Sequence, residues 1–281
     1  MPVFSKIRPT PDPAMPNAFE PSPLSLRLFT DDVSNLSGAE YPTPYTGGRW
    51  KILVIGSDQQ YLEMAGGKLF STGNHPIETL LPMIHLERAG FSFDIATLSG
   101  GPVRFEHWAM PLKDEVVTGF HQRHLPAFEA SKTLADVVAG LGPDSDYLAV
   151  FIPGGHGALM GLPDSAEVKA ALDWAAANDR FVISLCHGPA AFLALGDDNP
   201  FRGRKIVAFP DLVDNHTPRI GYMPGKLTWK FGEKLKAQGF VITNRLTTGA
   251  TCQDGRLLTG DSPLASNALG KLAASELLKA A

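Results

Sequence analysis

Three runs of this chain are almost wholly apolar, and each stops at a turn residue. They are Trp50-Lys-Ile-Leu-Val-Ile-Gly56, Asp146-Tyr-Leu-Ala-Val-Phe-Ile152 ahead of Pro153, and Phe181-Val-Ile-Ser-Leu185 ahead of Cys186. A strand with one wet face alternates polar and apolar residues; a run without that alternation is covered on both faces. Between the runs the period changes to that of a helix. Ile77, Leu80, Leu81 and Ile84 mark one over 74–89, and Val168, Leu172 and Ala175 mark another over 166–178. Strands alternating with helices predict an α/β fold, a mostly parallel sheet with helices on both faces.

Turn and cap chemistry supports these assignments. Asn74 is a candidate cap for the first helix, with Pro76 at its start and Gly90 beyond its end, and Ser165 caps the second. Phe91–Ala96 reads as another strand, as do 205–209, 240–243 and 257–259. Further helices are expected over 136–141, over 227–238, from Cys186 to Leu195, and after Ser262-Pro263.

Two stretches break the pattern. Seven of the 23 prolines precede residue 24. Proline fixes φ and removes a donor, so residues 1–48 read as an extended arm, neither helix nor central strand, whose Phe19, Leu24, Leu26, Leu28 and Phe29 wrap the body. Residues 99–132, with Trp108, Pro111, His121, His124 and Pro126, show no sustained period. They read as a cap inserted into a core of residues 49–281.

Composition narrows the function. The chain has 281 residues, 44% apolar and 19% charged, with a net charge of −4. The apolar share builds a full core, and the charge gives no basic footprint for nucleic acid or an anionic membrane. Two cysteines in a chain this long suit a reducing cytosol rather than a disulfide scaffold. No Gly-x-Gly-x-x-Gly or phosphate-loop pattern is present, so no nucleotide cofactor is expected.

The chemistry concentrates at Cys186, where a strand runs into a helix. Ligands of open α/β sheets bind at the carboxyl ends of the strands. A helix N-terminus there stabilises a thiolate, although a small buried cysteine remains the alternative reading. Gly154 and Gly155 end the neighbouring strand and are candidate oxyanion donors. Glu78, early in its helix, is a candidate proton carrier, but the pattern alone favours a solvated first-turn carboxylate. His187 and Asp214 complete a conceivable Cys–His–Asp set, yet adjacent residues usually point apart, so His187 is not assigned to Cys186 by position.

Gly154-Gly-His-Gly157, Ser184-Leu-Cys-His-Gly-Pro-Ala190, Gly73-Asn-His-Pro-Ile-Glu78, Gly221-Tyr-Met-Pro-Gly225 and Leu258-Thr-Gly-Asp-Ser-Pro263 together resemble the ThiJ/PfpI superfamily. The likeness is greatest to its branch of stress chaperones also described as glyoxalase III and as protein and nucleic-acid deglycases. This implies a flavodoxin-like core with a small cap, a homodimer, Cys186 as nucleophile and Glu78 as the carboxyl beside it. It also implies His187 and Asp214 as partners and Gly155 in the oxyanion turn.

The reaction implied is glutathione-independent conversion of methylglyoxal or glyoxal to lactate or glycolate, or removal of their early adducts from proteins or nucleotides, in the cytoplasm. The rivals are a chaperone holding unfolded chains on the arm and the Trp108 insert, and a weak aminopeptidase. An amidotransferase lacks its His-x-Glu pair, since only His187 and His216 follow Cys186. The family's zinc site of two histidines and a glutamate is matched only at His124. Glu87 stands for the other histidine and Ser92 for the glutamate, so no metal is expected.

Overall fold

The structure is a computed structural model describing residues 7–281; Pro2 and the rest of residues 1–6 of the arm lie outside the described residues. The strands of the central sheet are β1 (Lys51–Ile55), β2 (Ser92–Thr97), β3 (Lys132–Thr133), β4 (Tyr147–Ile152), β5 (Phe181–Leu185), β6 (Thr251–Asp254) and β7 (Leu257–Gly260). Their order is β6-β7-β5-β4-β1-β2-β3, parallel throughout except for β6, which is antiparallel to β7.

The helices are α1 (Pro23–Phe29), α2 (Pro76–Arg88), α3 (Glu115–Glu129), α4 (Leu134–Ala139), α5 (Ala166–Ala177), α6 (Asp211–Asp214), α7 (Phe231–Ala237) and α8 (Ser266–Ala280). Successive strand side chains serve opposite layers, as the pleat requires. Ile52, Val54, Phe151 and Ile183 pack with α2, α3 and α8, whereas Leu53, Ile55, Val150 and Val182 pack with α4, α5 and α7. This two-sided burial is what the unbroken apolar runs foretell.

Several expectations are corrected. The arm does contain a helix, α1: Pro23 occupies its first turn, where the missing N–H has no bond to lose, and Ser22 Oγ accepts from Ser25 N at 3.2 Å. Ser22 and Ser25 also donate their hydroxyls to Ile220 O at 3.0 and 2.7 Å, fastening the arm to the body. Residues 10–11 and 18–20 join 69–71 and 61–63 in a separate four-stranded sheet. Asn74 does not cap α2. Its side chain accepts from Ser57 N and donates to Ser57 O and Arg104 O, and His75 takes the cap position.

Residues 99–132 are not without period. Asp114 caps the 15-residue α3, accepting from Val116 N and Val117 N at 3.1 Å. Its inner face is Val117, Phe120, His121, His124 and Phe128; the two histidines hide the helical stripe. α3 packs on α2 and β2. Residues 188–198 form 3-10 turns with a kink at Gly196 rather than one α-helix. The strands expected over 205–209 and 240–243 shrink to a two-residue parallel ladder apart from the main sheet.

Candidate active site

Cys186 follows β5 with φ of 57°, a left-handed conformation rare for a residue with a Cβ. Both of its backbone groups are held. Its N–H donates to Gly260 O at 2.9 Å, and its carbonyl accepts from Phe209 N at 2.9 Å. Neighbouring glycines make the sharp turn feasible: a Cβ on Gly188 would lie 2.5 Å from Ser184 Oγ and 2.6 Å from Ile152 O. The turn also overrides the rule that consecutive side chains diverge. His187 Nδ1 stands 3.2 Å from Cys186 Sγ.

Behind His187 is a buried relay. Asp214, at the end of α6, accepts from His187 Nε2 at 2.9 Å and from His156 Nε2 at 3.2 Å. With its Nε2 proton bound to Asp214, His187 presents the Nδ1 lone pair to the sulfur. Burial disfavours the Asp214 carboxylate, but the two imidazoles outweigh it and hold this acid below its ordinary range. His187 is sandwiched between Phe209 and His156, with ring centroids at 4.7 and 3.9 Å.

Glu78, in the first turn of α2, is fully buried beside the thiol rather than solvated. Gly154 lets the two approach: a Cβ there would lie 2.7 Å from Cys186 Cβ and collide with Glu78 Oε2. The Gly155 N–H, at φ of 102°, is directed at this pair. Burial pushes the Glu78 acid well up, as do Glu106 and Asp261, and burial with Glu78 pushes the Cys186 thiol up. Two negative charges are therefore not tolerated here, and at least one of the two groups keeps its proton.

These groups open on a cavity of about 300 Å³ whose outer wall includes Leu28 and Phe29 of α1. Sequence reasoning missed His75, Glu106, His156 and Tyr222, all of which line it. His156 sits inside the Gly-Gly-His-Gly run and Tyr222 inside Gly221-Tyr-Met-Pro-Gly225, and both were open to notice; Glu106 comes from a loop with no local signal. Trp108 is not an open docking surface. It packs against Phe70 and Tyr222 and donates to Ser71 O at 3.2 Å.

Both cysteines are free, and Cys252 lies far along the chain at the edge strand β6. The implied zinc set does not fit this chain: Glu87 already pairs with His124 at 2.7 Å and with Arg123 at 3.0 Å, and Ser92 offers only an exposed hydroxyl. No helix among the described residues is long and apolar enough to cross a membrane.

Comparison with known proteins agrees with this architecture. The chain is 60% identical over 281 residues to the protein/nucleic acid deglycase HchA of Escherichia coli O157:H7, covering 100% of this chain and 99% of that one. Among solved structures, the Rapid Encystment Protein of Francisella tularensis superposes with a TM-score of 0.67 at 18% identity, covering 81% of this chain and 99% of that one. Glyoxalase III from Candida albicans does so at 0.64 and 21%, covering 80% and 97%. At such identities these two speak for the fold alone. The DJ-1/PfpI family model matches residues 69–274, a span that runs from the small sheet through Glu78, the Cys186 turn and Asp214 into α8, and the chain belongs to that family.

Proposed function

We propose that this chain is a cysteine-dependent, glutathione-independent deglycase and glyoxalase III. It acts on methylglyoxal, glyoxal and their early adducts on proteins or nucleotides. The observation that carries the reading is the buried Cys186–Glu78 pair, one nucleophile and one proton carrier on the floor of a small cavity. The deglycase named as a 60% identical relative supports it.

Cys186 sulfur adds to the aldehyde carbon as its proton passes to His187 Nδ1. The carbonyl π pair moves onto the oxygen, beside the Gly154–Gly155 turn. Glu78 takes the hydrogen of that carbon as a proton while His187 gives the thiol's proton to the neighbouring carbonyl oxygen, leaving an enediolate, and Glu78 then returns its proton to the adjacent carbon as the first oxygen regains its double bond. One carbon is oxidised and its neighbour reduced by the same electron pair, so no outside oxidant is needed. The thioester formed is hydrolysed: water gives hydroxide to the acyl carbon and its other proton, through His187, to sulfur as the carbon–sulfur bond breaks, and the acid leaves as lactate or glycolate, its carboxyl proton going to solvent. With a hemiaminal adduct the sulfur displaces the nitrogen, and the amine departs with the proton.

The same reading carries action as a homodimer in the cytoplasm, which light scattering and cell fractionation check. The central test is lactate formation from methylglyoxal without glutathione. Wild type is active, and Cys186→Ser loses at least about a thousandfold, the scale expected when a nucleophile is removed. Turnover retained in that variant overturns the proposal.

A further inference from the structure

Three polar groups lining the Cys186 cavity have buried atoms without a hydrogen-bond partner: the Glu78 carboxyl, Glu106 Oε2 and His75 Nδ1. The proposed chemistry uses Glu78 and leaves the other two idle. Both are well buried, Glu106 at 1% exposure and His75 at 6%. Thr72 Oγ1 donates to Glu106 Oε1 at 2.6 Å, which fixes the carboxyl plane and leaves Oε2 bare. An unpartnered acceptor in a dry site costs stability, so its retention beside a cavity points to a ligand group that completes it.

The charge around the cavity says which group. Its lining includes the acids Asp31, Glu78 and Glu106, the last two raised by burial so that an incoming cation is what favours their charged forms, and, among the described residues, no lysine or arginine. Two of its histidines, His75 and His156, do not supply a cation. Burial, with His156 and His187, holds His75 down at about 3, and burial with His187 lowers His156. Nothing there is built to receive a carboxylate or a phosphate.

We propose that Glu106 and His75 form a second subsite of this cavity, one that seats a cationic N–H donor of the guanidinium or ammonium class and excludes anions. The inference rests on the functional reading above and deepens it. Cys186 handles the aldehyde carbon, and the subsite receives the nitrogen-bearing end of an amine adduct. Neutral α-oxoaldehydes enter freely, whereas α-oxo acids do not. A carboxylate product, once formed, finds no counter-ion and leaves.

Alkylation of Cys186 tests this without any turnover, so its failure is separable from failure of the functional reading. Mass spectrometry of the Cys186 peptide follows modification by neutral iodoacetamide and anionic iodoacetate, each rate normalised to free cysteine, with ethylguanidinium or acetate as protectant at matched ionic strength. The expected result is a preference for the amide of about thirtyfold or more beyond that of free thiol, and protection by ethylguanidinium but not by acetate. Glu106→Gln keeps an acceptor for Thr72 and turns an N–H₂ into the cavity; it weakens ethylguanidinium protection by about tenfold. Equal reactivity of the two reagents in wild type overturns the proposal even if the variant does not fold. Undiminished protection in a folded Glu106→Gln protein overturns the assignment to Glu106.

Discussion

Replacing Asp214 with Asn isolates what the buried relay does. The aspartate accepts two imidazole N–H groups, from His187 at 2.9 Å and His156 at 3.2 Å, and is 3% exposed. Asparagine offers one acceptor and one donor in the same space, so one histidine meets a donor instead. Either a buried N–H is orphaned, costing about 1–3 kcal/mol, or a ring changes tautomer. If His187 changes, its proton moves to Nδ1 and points at the sulfur 3.2 Å away, and the lone pair that receives the thiol proton is gone.

A tautomer fault of this kind in a hydrolase triad costs about ten-thousandfold in kcat, so a loss between a hundredfold and ten-thousandfold is expected in lactate formation from methylglyoxal. Melting should fall by a few degrees, about 2–4 °C per kcal/mol for a chain of this size. The pH dependence follows from the sign of the shift. Asp214 is held below its ordinary value when folded, so its stabilisation is complete at neutral pH and fades as pH falls below the usual carboxylate range. The variant should accordingly lose its stability deficit in acid. Lactate formation within threefold of wild type, in a protein with the wild-type melting curve, would refute the relay.

Glu78→Gln should abolish lactate formation while raising the melting temperature at pH 8 by about 2–4 °C. A buried acid with a raised pKa destabilises the fold above its unfolded value, and the amide removes that cost. A scan showing lower stability with activity retained contradicts it. Gly154→Ala inserts a methyl 2.7 Å from Cys186 Cβ and into Glu78 Oε2, forcing the pair apart. Turnover should drop at least about tenfold with about 1–3 kcal/mol lost in denaturant unfolding, and a fully active variant would show the packing to be slack. Because Glu87 is bound to His124 and Arg123, chelator should leave turnover unchanged and elemental analysis should find less than a tenth of an equivalent of zinc, on the rule that a structural site needs four ligands. Stoichiometric zinc would contradict this.

Legibility tracked the range of the forces involved. Strands β1, β4 and β5 and helix α5 were readable because their burial is two-sided or strictly periodic and Ser165 caps α5 in a local bond at 3.1 Å. α3 was hidden because two of its inward positions are histidines, packed against Phe105, Phe120 and Phe128. β6 was hidden because Thr-Cys-Gln-Asp at a sheet edge is half wet and carries no apolar pattern. Cys186 and the Gly154–Gly155 turn stood out because backbone geometry demands particular residues there. Glu106 did not, since nothing local holds it at the cavity; the chain brings it in from a loop.

The left-handed turn at Cys186 ties these observations together. An extended residue at that position would send His187 to the opposite side of the chain from the thiol, and Asp214 would have no imidazole to orient. The strain of φ at 57° is of order 1–3 kcal/mol, and the surrounding bonds from Gly260, Phe209 and the close-packed Gly188 over-determine it. Burial imposes a second cost by raising the thiol and Glu78 acid together. That cost has a chemical return. In the proposed chemistry a Glu78 carboxyl whose acid form is favoured by burial is a stronger base toward the substrate's C–H than a solvated carboxylate, and it holds that proton until the adjacent carbon takes it. On the proposed function the turn aims the nucleophile and the desolvation tunes the carrier, so a substitution that relaxes either should stabilise the fold and slow the chemistry together.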